Sequence, residues 1–365
     1  MMNTYKDVKQ EVKNLLYRAN KQIEDTHQYP GEVLEQLGEL GYLGYLIPRE
    51  YGGGGKSLED FISVVRAFAE LCPTVALIYV IHSAPLLGIN ENDNTWLKEK
   101  VFTDVIENNA ILTGAHSEKP TGITCISEFE LEKTGNQVIF SGQKNLITSS
   151  GKVAYYYLSV PGEQEGTVDY WVLPSNLEGI KPHPSLWNGL GMVGNIAAPV
   201  DFDDVSVPIE FRAGSADLMS TIAFNLGLGA VSAGLADGLY QAALTHSLTR
   251  KFSNGSHLSD IETVRLRLAD IFKLSYAAKA GLYYSASMIN DSSCLQQVLA
   301  ARSNATEAAI QTAILAMRVG GGTFYNKISQ AEQFLRDSLA GQVMVPGIDL
   351  MNQIIMNMEL HDRGE

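Results

Sequence analysis

Cysteine is scarce in this chain: Cys72, Cys125 and Cys294 are the only three in 365 residues. They lie far apart, make no CxxC pair and share no ligand spacing with histidine. Neither a disulfide scaffold nor a metal centre is expected, and isolated thiols fit a reducing, cytoplasmic setting. Basic charge is also short. Lys and Arg number 27 against 41 Asp and Glu, for a net charge of −14. That balance argues against nucleic acid as a partner, because neutralising phosphates needs clustered cations, and leaves room for a local basic pocket for a phosphate or a CoA tail. No run approaches 18 uninterrupted apolar residues, so no membrane span is expected. The opening MMNTYKDVKQEVKNLL lacks the apolar core of a signal peptide. Internal repeats and low-complexity segments are missing as well. What remains is 45% hydrophobic residues, enough for one large multilayer core or two to three small domains.

Three stretches differ in pattern. Residues 1–112 carry apolar positions at three- and four-residue spacing through VLEQLGELGYLGYL and LEDFISVVRAFAEL, which predicts an N-terminal helical domain. PREYGGGG, residues 48–55, breaks it, since each glycine inside a helix costs about 1 kcal/mol relative to alanine. Residues 113–213 change to short runs rich in Val, Ile, Tyr and Phe: QVIFSGQKNLITSS, KVAYYYLSV, DYWVLP and PVDFDDVSV. Gly, Asn, Asp and Pro separate them, which predicts a middle antiparallel β-barrel-like domain, with a turn at Thr134–Gly135–Asn136. Residues 214–365 return to long helical patterns with small residues between large ones, the signature of a C-terminal four-helix bundle. The fold class is α+β.

Four motifs fall in one order along this frame. GYLGYLIPREYGGGG (41–55) is similar to a GLxGxxxPxxYGG signature. NQVIFSGQKNLITSSGKVAYYYLSV (136–160) is similar to a strand, GxK and W-I-T-N-like turn leading to a second strand. WNGLGMVGNIAAPVDFDDVSVP (187–208) looks like a closing β-segment, and GGGTFYNKISQAEQFLRDS (320–338) is similar to a GGxGF…RD motif. Together they resemble the acyl-CoA dehydrogenase superfamily across nearly the whole chain. The resemblance implies a flavin, FAD or FMN, between the β-domain and the C-terminal bundle, in a homodimer or homotetramer. It implies that Ser117 and Thr148 offer hydroxyls to the ring and that Leu146 stands at the W of the W-I-T turn. An apolar slot with a few polar groups suits such a ring.

The chain departs from the family in two places. In the usual dehydrogenases a glutamate, nine residues after the arginine of RD, removes the thioester α-proton; burial raises its pKa toward the working pH. Counting from Arg336 gives Val345. A subset of the family seats the base near the start of the first C-terminal helix, and STIAFNLGLGA there has no acid. Asp349 is the nearest downstream carboxylate and a weak candidate base; a first-turn helix acid is its plainer role. His116, beside the flavin segment, is another candidate, with a structural histidine as its plainer role. At the adenosine end, Arg250 in TRKFSNG and Gly320–Gly321 remain to meet phosphates, but Met317 replaces the family's Gln. TEPGAGS survives only as SEKPTGI.

Three functions follow from the resemblance and its departures. The first is an oxidoreductase acting on an acyl thioester carried by CoA or an acyl-carrier protein, including the type that oxidises an α-hydroxyacyl group. The second is a two-component monooxygenase of the same fold, fed by a flavin reductase. The third is a non-catalytic flavin-binding or scaffold protein.

Overall fold

The computed structural model describes residues 4–119, 129–164 and 166–362, so Cys125 and part of SEKPTGI lie outside the described residues. Helices α1 (Thr4–Thr26), α2 (Gly31–Glu39), α3 (Leu58–Leu71), α4 (Pro73–Glu91) and α5 (Thr95–Asn108) come first. In α1 the stripe Val8, Val12, Leu16, Ala19 and Ile23 is buried, the four-and-three spacing of one helical face. Helix α2 ends earlier than its apolar spacing suggests, because Gly41 turns left-handed at φ 83°. The glycine run at 52–55 folds back on the preceding loop. Gly54 donates to the Gly44 carbonyl at 2.9 Å, and a Cβ on Gly54 would sit 2.8 Å from the Tyr45 carbonyl oxygen. Ser57 then caps α3 by accepting from the Asp60 amide.

The middle of the chain holds β1 (Leu112–Ala115), β2 (Glu130–Thr134), β3 (Gln137–Ile147), β4 (Tyr155–Pro161), β5 (Val168–Pro174), β6 (Ile180–Pro182), β7 (Ala198–Pro208) and β8 (Arg212–Gly214). They form two four-stranded sheets, β1-β4-β5-β8 and β2-β3-β7-β6. This corrects the barrel-like, antiparallel expectation on two counts. The sheets are open, because β1, β6 and β8 have only three or four residues and cannot supply the matched tilt and shear that closure requires. And β1 pairs parallel with β4, because the chain crosses to the second sheet through the β2–β3 hairpin before returning. That hairpin turns at Gly135–Asn136, with Gly135 at φ 63°.

Helices α6 (Leu218–Thr249), α7 (Glu262–Ser287), α8 (Cys294–Gly320), α9 (Gln330–Val343) and α10 (Ile348–Asp362) close the chain. Helix α6 is the hub. Its glycines mark each crossing: a Cβ on Gly227 would lie 2.6 Å from Val80 of α4, on Gly234 2.6 Å from Ala69 of α3, on Gly229 2.5 Å from Leu282 of α7, and on Gly238 2.5 Å from Phe334 of α9. Small residues at these points permit backbone-close packing. Gly238→Val is therefore expected to destabilise by about 1–3 kcal/mol through overpacking against Phe334, read as a lower urea midpoint. An unchanged midpoint would refute the packing assignment.

By length and composition α4 and α6 are apolar enough to cross a membrane, but 83% and 78% of their most apolar windows are buried inside the protein. They are core helices here. One hydrophobic cluster runs from Val8 to Phe334 through both helical regions and both sheets.

Candidate functional site

The first three predicted cofactor residues are brought together where β1 ends beside the end of β3. Strand register in β3 slips between Lys144 and Ile147, and the bulge throws Leu146 into a left-handed conformation (φ 54°) with its side chain 66% exposed. The Asn145 amide donates to the Ser117 carbonyl at 2.7 Å, and Thr113 Oγ1 donates to the Thr148 carbonyl at 2.7 Å. Ser117, Leu146 and Thr148 thus share one irregular rim.

A buried ion pair sits beneath that rim. Lys144, fully enclosed, donates to the Glu118 carboxylate. It also donates to the Ser159 carbonyl at 2.6 Å and the His116 carbonyl at 3.4 Å, and stands over the Phe129 ring at 5.0 Å. Burial pulls its pKa below the usual lysine range, and Glu118 pulls it back. The pair ties the segment after β1 to both β3 and β4.

His116 follows the last residue of β1. Its ring meets Tyr157 and Tyr170 edge-on at 6.0 and 6.2 Å, and those two rings stack at 5.2 Å. Tyr157 donates to Asp217 at 2.7 Å, just ahead of α6. The imidazole is exposed to solvent on one side and lies against the two tyrosine rings on the other. Desolvation by the protein around it first, and the Lys144 ammonium second, hold its pKa down to about 4. At neutral pH it is an uncharged proton acceptor. Burial raises Asp217 to about 6, against the hydrogen bonds it accepts from Tyr157 and Ser220.

The residues fit a flavin ring. Asn145 Nδ2 is buried without a partner, a condition that costs about 1–3 kcal/mol until an acceptor arrives. The Thr148 hydroxyl makes no hydrogen bond to any described residue. Both could serve the acceptor-rich edge of an isoalloxazine.

The second trio lies elsewhere. Arg250, exposed, follows the last residue of α6, and Gly320 ends α8 with Gly321 next at φ 54°. The His246–Phe324 ring contact at 5.1 Å joins these two helix ends, and His246 Nε2 is buried without a partner. Gly227 packs on Val80, close to His82, whose Nδ1 accepts from the Leu112 amide at the base of β1. From Gly227 to Arg250 is 23 residues of chain, roughly 34 Å of helix. The structure forms each trio but does not bring the two together within one chain.

Val345 and residues 220–230 of α6, the positions where the resemblance leads one to look for a carboxylate, carry no charge. Val345 follows α9 and is 41% exposed. On α6, Asn225 is buried and donates to the Thr221 carbonyl at 2.8 Å. Asp349 is an exposed acid in the first turn of α10. Sequence reasoning missed Arg302, which links α6 to the end of α9: it donates to Asn225 Oδ1 at 2.7 Å and to the Met344 carbonyl at 2.8 Å. A signal existed, because 302 falls on the apolar stripe Val298, Ala305 and Ala309 of α8. Lys144 likewise shares its strand face with Val138 and Phe140.

Comparison with known proteins gives a consistent picture. The family model described as the acyl-CoA dehydrogenase N-terminal domain matches residues 4–109, and the one described as the C-terminal domain matches residues 214–356. An acyl-CoA dehydrogenase of Bacillus subtilis is 24% identical over 336 residues, 88% of this chain and 87% of that protein. The structure of butyryl-CoA dehydrogenase from Megasphaera elsdenii superposes with a TM-score of 0.90 at 18% identity, covering 99% of each chain. That of the prolyl acyl carrier protein oxidase AnaB gives 0.87 at 18% identity, covering 98% of this chain and 99% of that one.

Proposed function

The chain belongs to the acyl-CoA dehydrogenase family, and from that premise we propose a flavin oxidoreductase that oxidises a hydroxyl-bearing acyl thioester, with His116 as proton acceptor. The observation that carries this reading is an exposed imidazole, one residue from Ser117 and neutral at pH 7, in a chain with no acid at Val345 or along residues 220–230 of α6. Taking the α-proton of a saturated thioester needs a base matched to a weakly acidic C–H bond. Taking the proton of a carbinol O–H as hydride leaves the same carbon makes a lighter demand.

A bound flavin supplies the hydride acceptor. The chain supplies the rest. Thr148 and Asn145 Nδ2 orient the polar edge of the ring. Lys144 and Glu118 fix the backbone that carries His116 and Ser117. Tyr157 and Tyr170 hold the imidazole plane, and the imidazole accepts the hydroxyl proton. Likeness to an acyl carrier protein oxidase and to CoA-thioester dehydrogenases supports a thioester on either carrier. The test is anaerobic titration of the purified yellow protein with thioesters of equal length. Bleaching of the flavin band by the α-hydroxyacyl form and not by the saturated form is expected. Equal bleaching by the saturated form would sink the proposal, as would turnover that demands oxygen and a separate reductase.

Arg250, Gly320 and Gly321 then serve the phosphates of a flavin held by a second copy of the chain. Two observations support this: their separation from Thr148, and the unpaired apolar residues beside them, Tyr325 at 83% and Ile328 at 93% exposure. Ile328→Asp is expected to lower the solution mass by light scattering toward that of one chain and to release flavin. A monodisperse single-chain wild type that retains its flavin would refute the shared site.

A further inference from the structure

Arg302 is a buried charge with no counter-charge among the described residues. It is fully buried in the middle of α8. Of its five N–H groups, one donates to Asn225 and one to the Met344 carbonyl, and Nε has no partner. Among the described residues it forms no ion pair, and only the face of the Phe224 ring at 5.7 Å offers partial compensation. Burial alone holds its pKa down to about 9, which leaves it charged at neutral pH. A buried charge without a counter-charge is among the most unfavourable placements a side chain can take, and a guanidinium's planar fork matches a carboxylate.

The position gives this charge a meaning. One of its partners, Asn225, lies in the stretch of α6 where some relatives are expected to seat a base, and the other is the carbonyl of Met344, the residue before Val345. Neither partner is charged, so among the described residues nothing compensates the guanidinium, and the chain next to its second partner reaches the surface at Val345, 41% exposed.

We infer that Arg302 binds a carboxylate carried by the substrate's acyl group, so that the preferred substrate is an acidic acyl thioester. Asn225 is the positioning residue: its Oδ1 accepts from one arm of the guanidinium and leaves Nε and the remaining N–H groups for the ligand. This rests on the oxidoreductase reading for the word substrate, but not for the anion site itself.

The experiment has two arms, both on the flavin-loaded oligomer. In the first, calorimetry and thermal shift compare propionate with its neutral isostere propionamide, in wild type, Arg302→Met and Arg302→Lys. Saturable binding of propionate alone is expected in wild type, lost in Arg302→Met and partly kept in Arg302→Lys. Arg302→Met is expected to melt at the same temperature or higher, because it removes an uncompensated buried charge. In the second arm, a carboxylate-ended thioester is compared with its carboxamide. Its KM is expected to be about 10- to 100-fold lower in wild type, the scale of hydrogen bonds to a charged group, and equal to it in Arg302→Met. The inference is overturned if propionate does no more than propionamide in wild type, or if Arg302→Met keeps the preference. It is overturned too if Arg302→Met simply melts far lower while wild type ignores the anion, since the arginine is then structural. Should Arg302-dependent propionate binding hold while no thioester bleaches the flavin, the site stands and the oxidoreductase reading falls.

Discussion

His116→Ala should lower kcat for an α-hydroxyacyl thioester by about 10²- to 10⁴-fold, the range a positioned general base contributes, while the flavin spectrum stays unchanged. The imidazole is one residue from the rim that receives the ring, but its own contacts are with Gly114, Tyr157 and Tyr170, so its loss leaves the ring's hydrogen bonds intact. The pH profile separates this role from a structural one. An ordinary histidine titrates near 6.5, whereas His116 is held down to about 4. Neutral imidazole is the active form, so kcat/KM should stay level from pH 8 down to about 5 and fall below that. Asp217, raised to about 6, faces the same tyrosines; if its titration governs, the limb appears near 6 and survives in the alanine variant. Full activity in His116→Ala would end its candidacy.

The second large effect concerns Lys144. Lys144→Met leaves Glu118, whose side chain is 4% exposed, without its cation. Breaking a buried pair from one side costs about 3–5 kcal/mol, whereas replacing both partners by apolar groups is often neutral. The single variant should therefore unfold at markedly lower urea and lose flavin, because the His116–Ser117 backbone is no longer tied to β3 and β4. Lys144→Met/Glu118→Leu should recover most of that loss, giving a large coupling in the double-mutant cycle. Additive losses in the cycle would show that the two residues act separately.

Much of this architecture could be read from residue order. The strands from Gln137, Val168 and Ala198 announce themselves by β-branched and aromatic runs between turn residues, and the three long helices from Leu218, Glu262 and Cys294 by their apolar content. The parallel pairing of β1 could not be read, because four residues carry little pattern and the partner lies some forty residues on. The open sheets were equally hidden, since closure is decided by the length of edge strands that barely register as strands. At the site, Ser117 and Thr148 were placed by their position in motifs. Arg302, Asn225 and Lys144 were not, because a polar residue among small or apolar ones looks like a surface position until a neighbouring element covers it. Their periodicity was visible in the chain. The charge's lack of a partner was not, because it is a property of three helices meeting.

The glycine-lined hub also sets a timetable for synthesis. Helix α4 ends at Glu91 and the helix that covers it starts at Leu218, 127 positions later in the chain. At translation rates of about 5–20 residues per second, the greasy face of α4 waits roughly 6–25 s for its cover. Over that interval the nascent N-terminal helices have no complete core, so they cannot settle first and recruit the rest; about two thirds of the chain has been made before the cover is complete. Chaperone dependence during expression is the practical corollary, and a chain cut between the two helices should collect in the insoluble fraction.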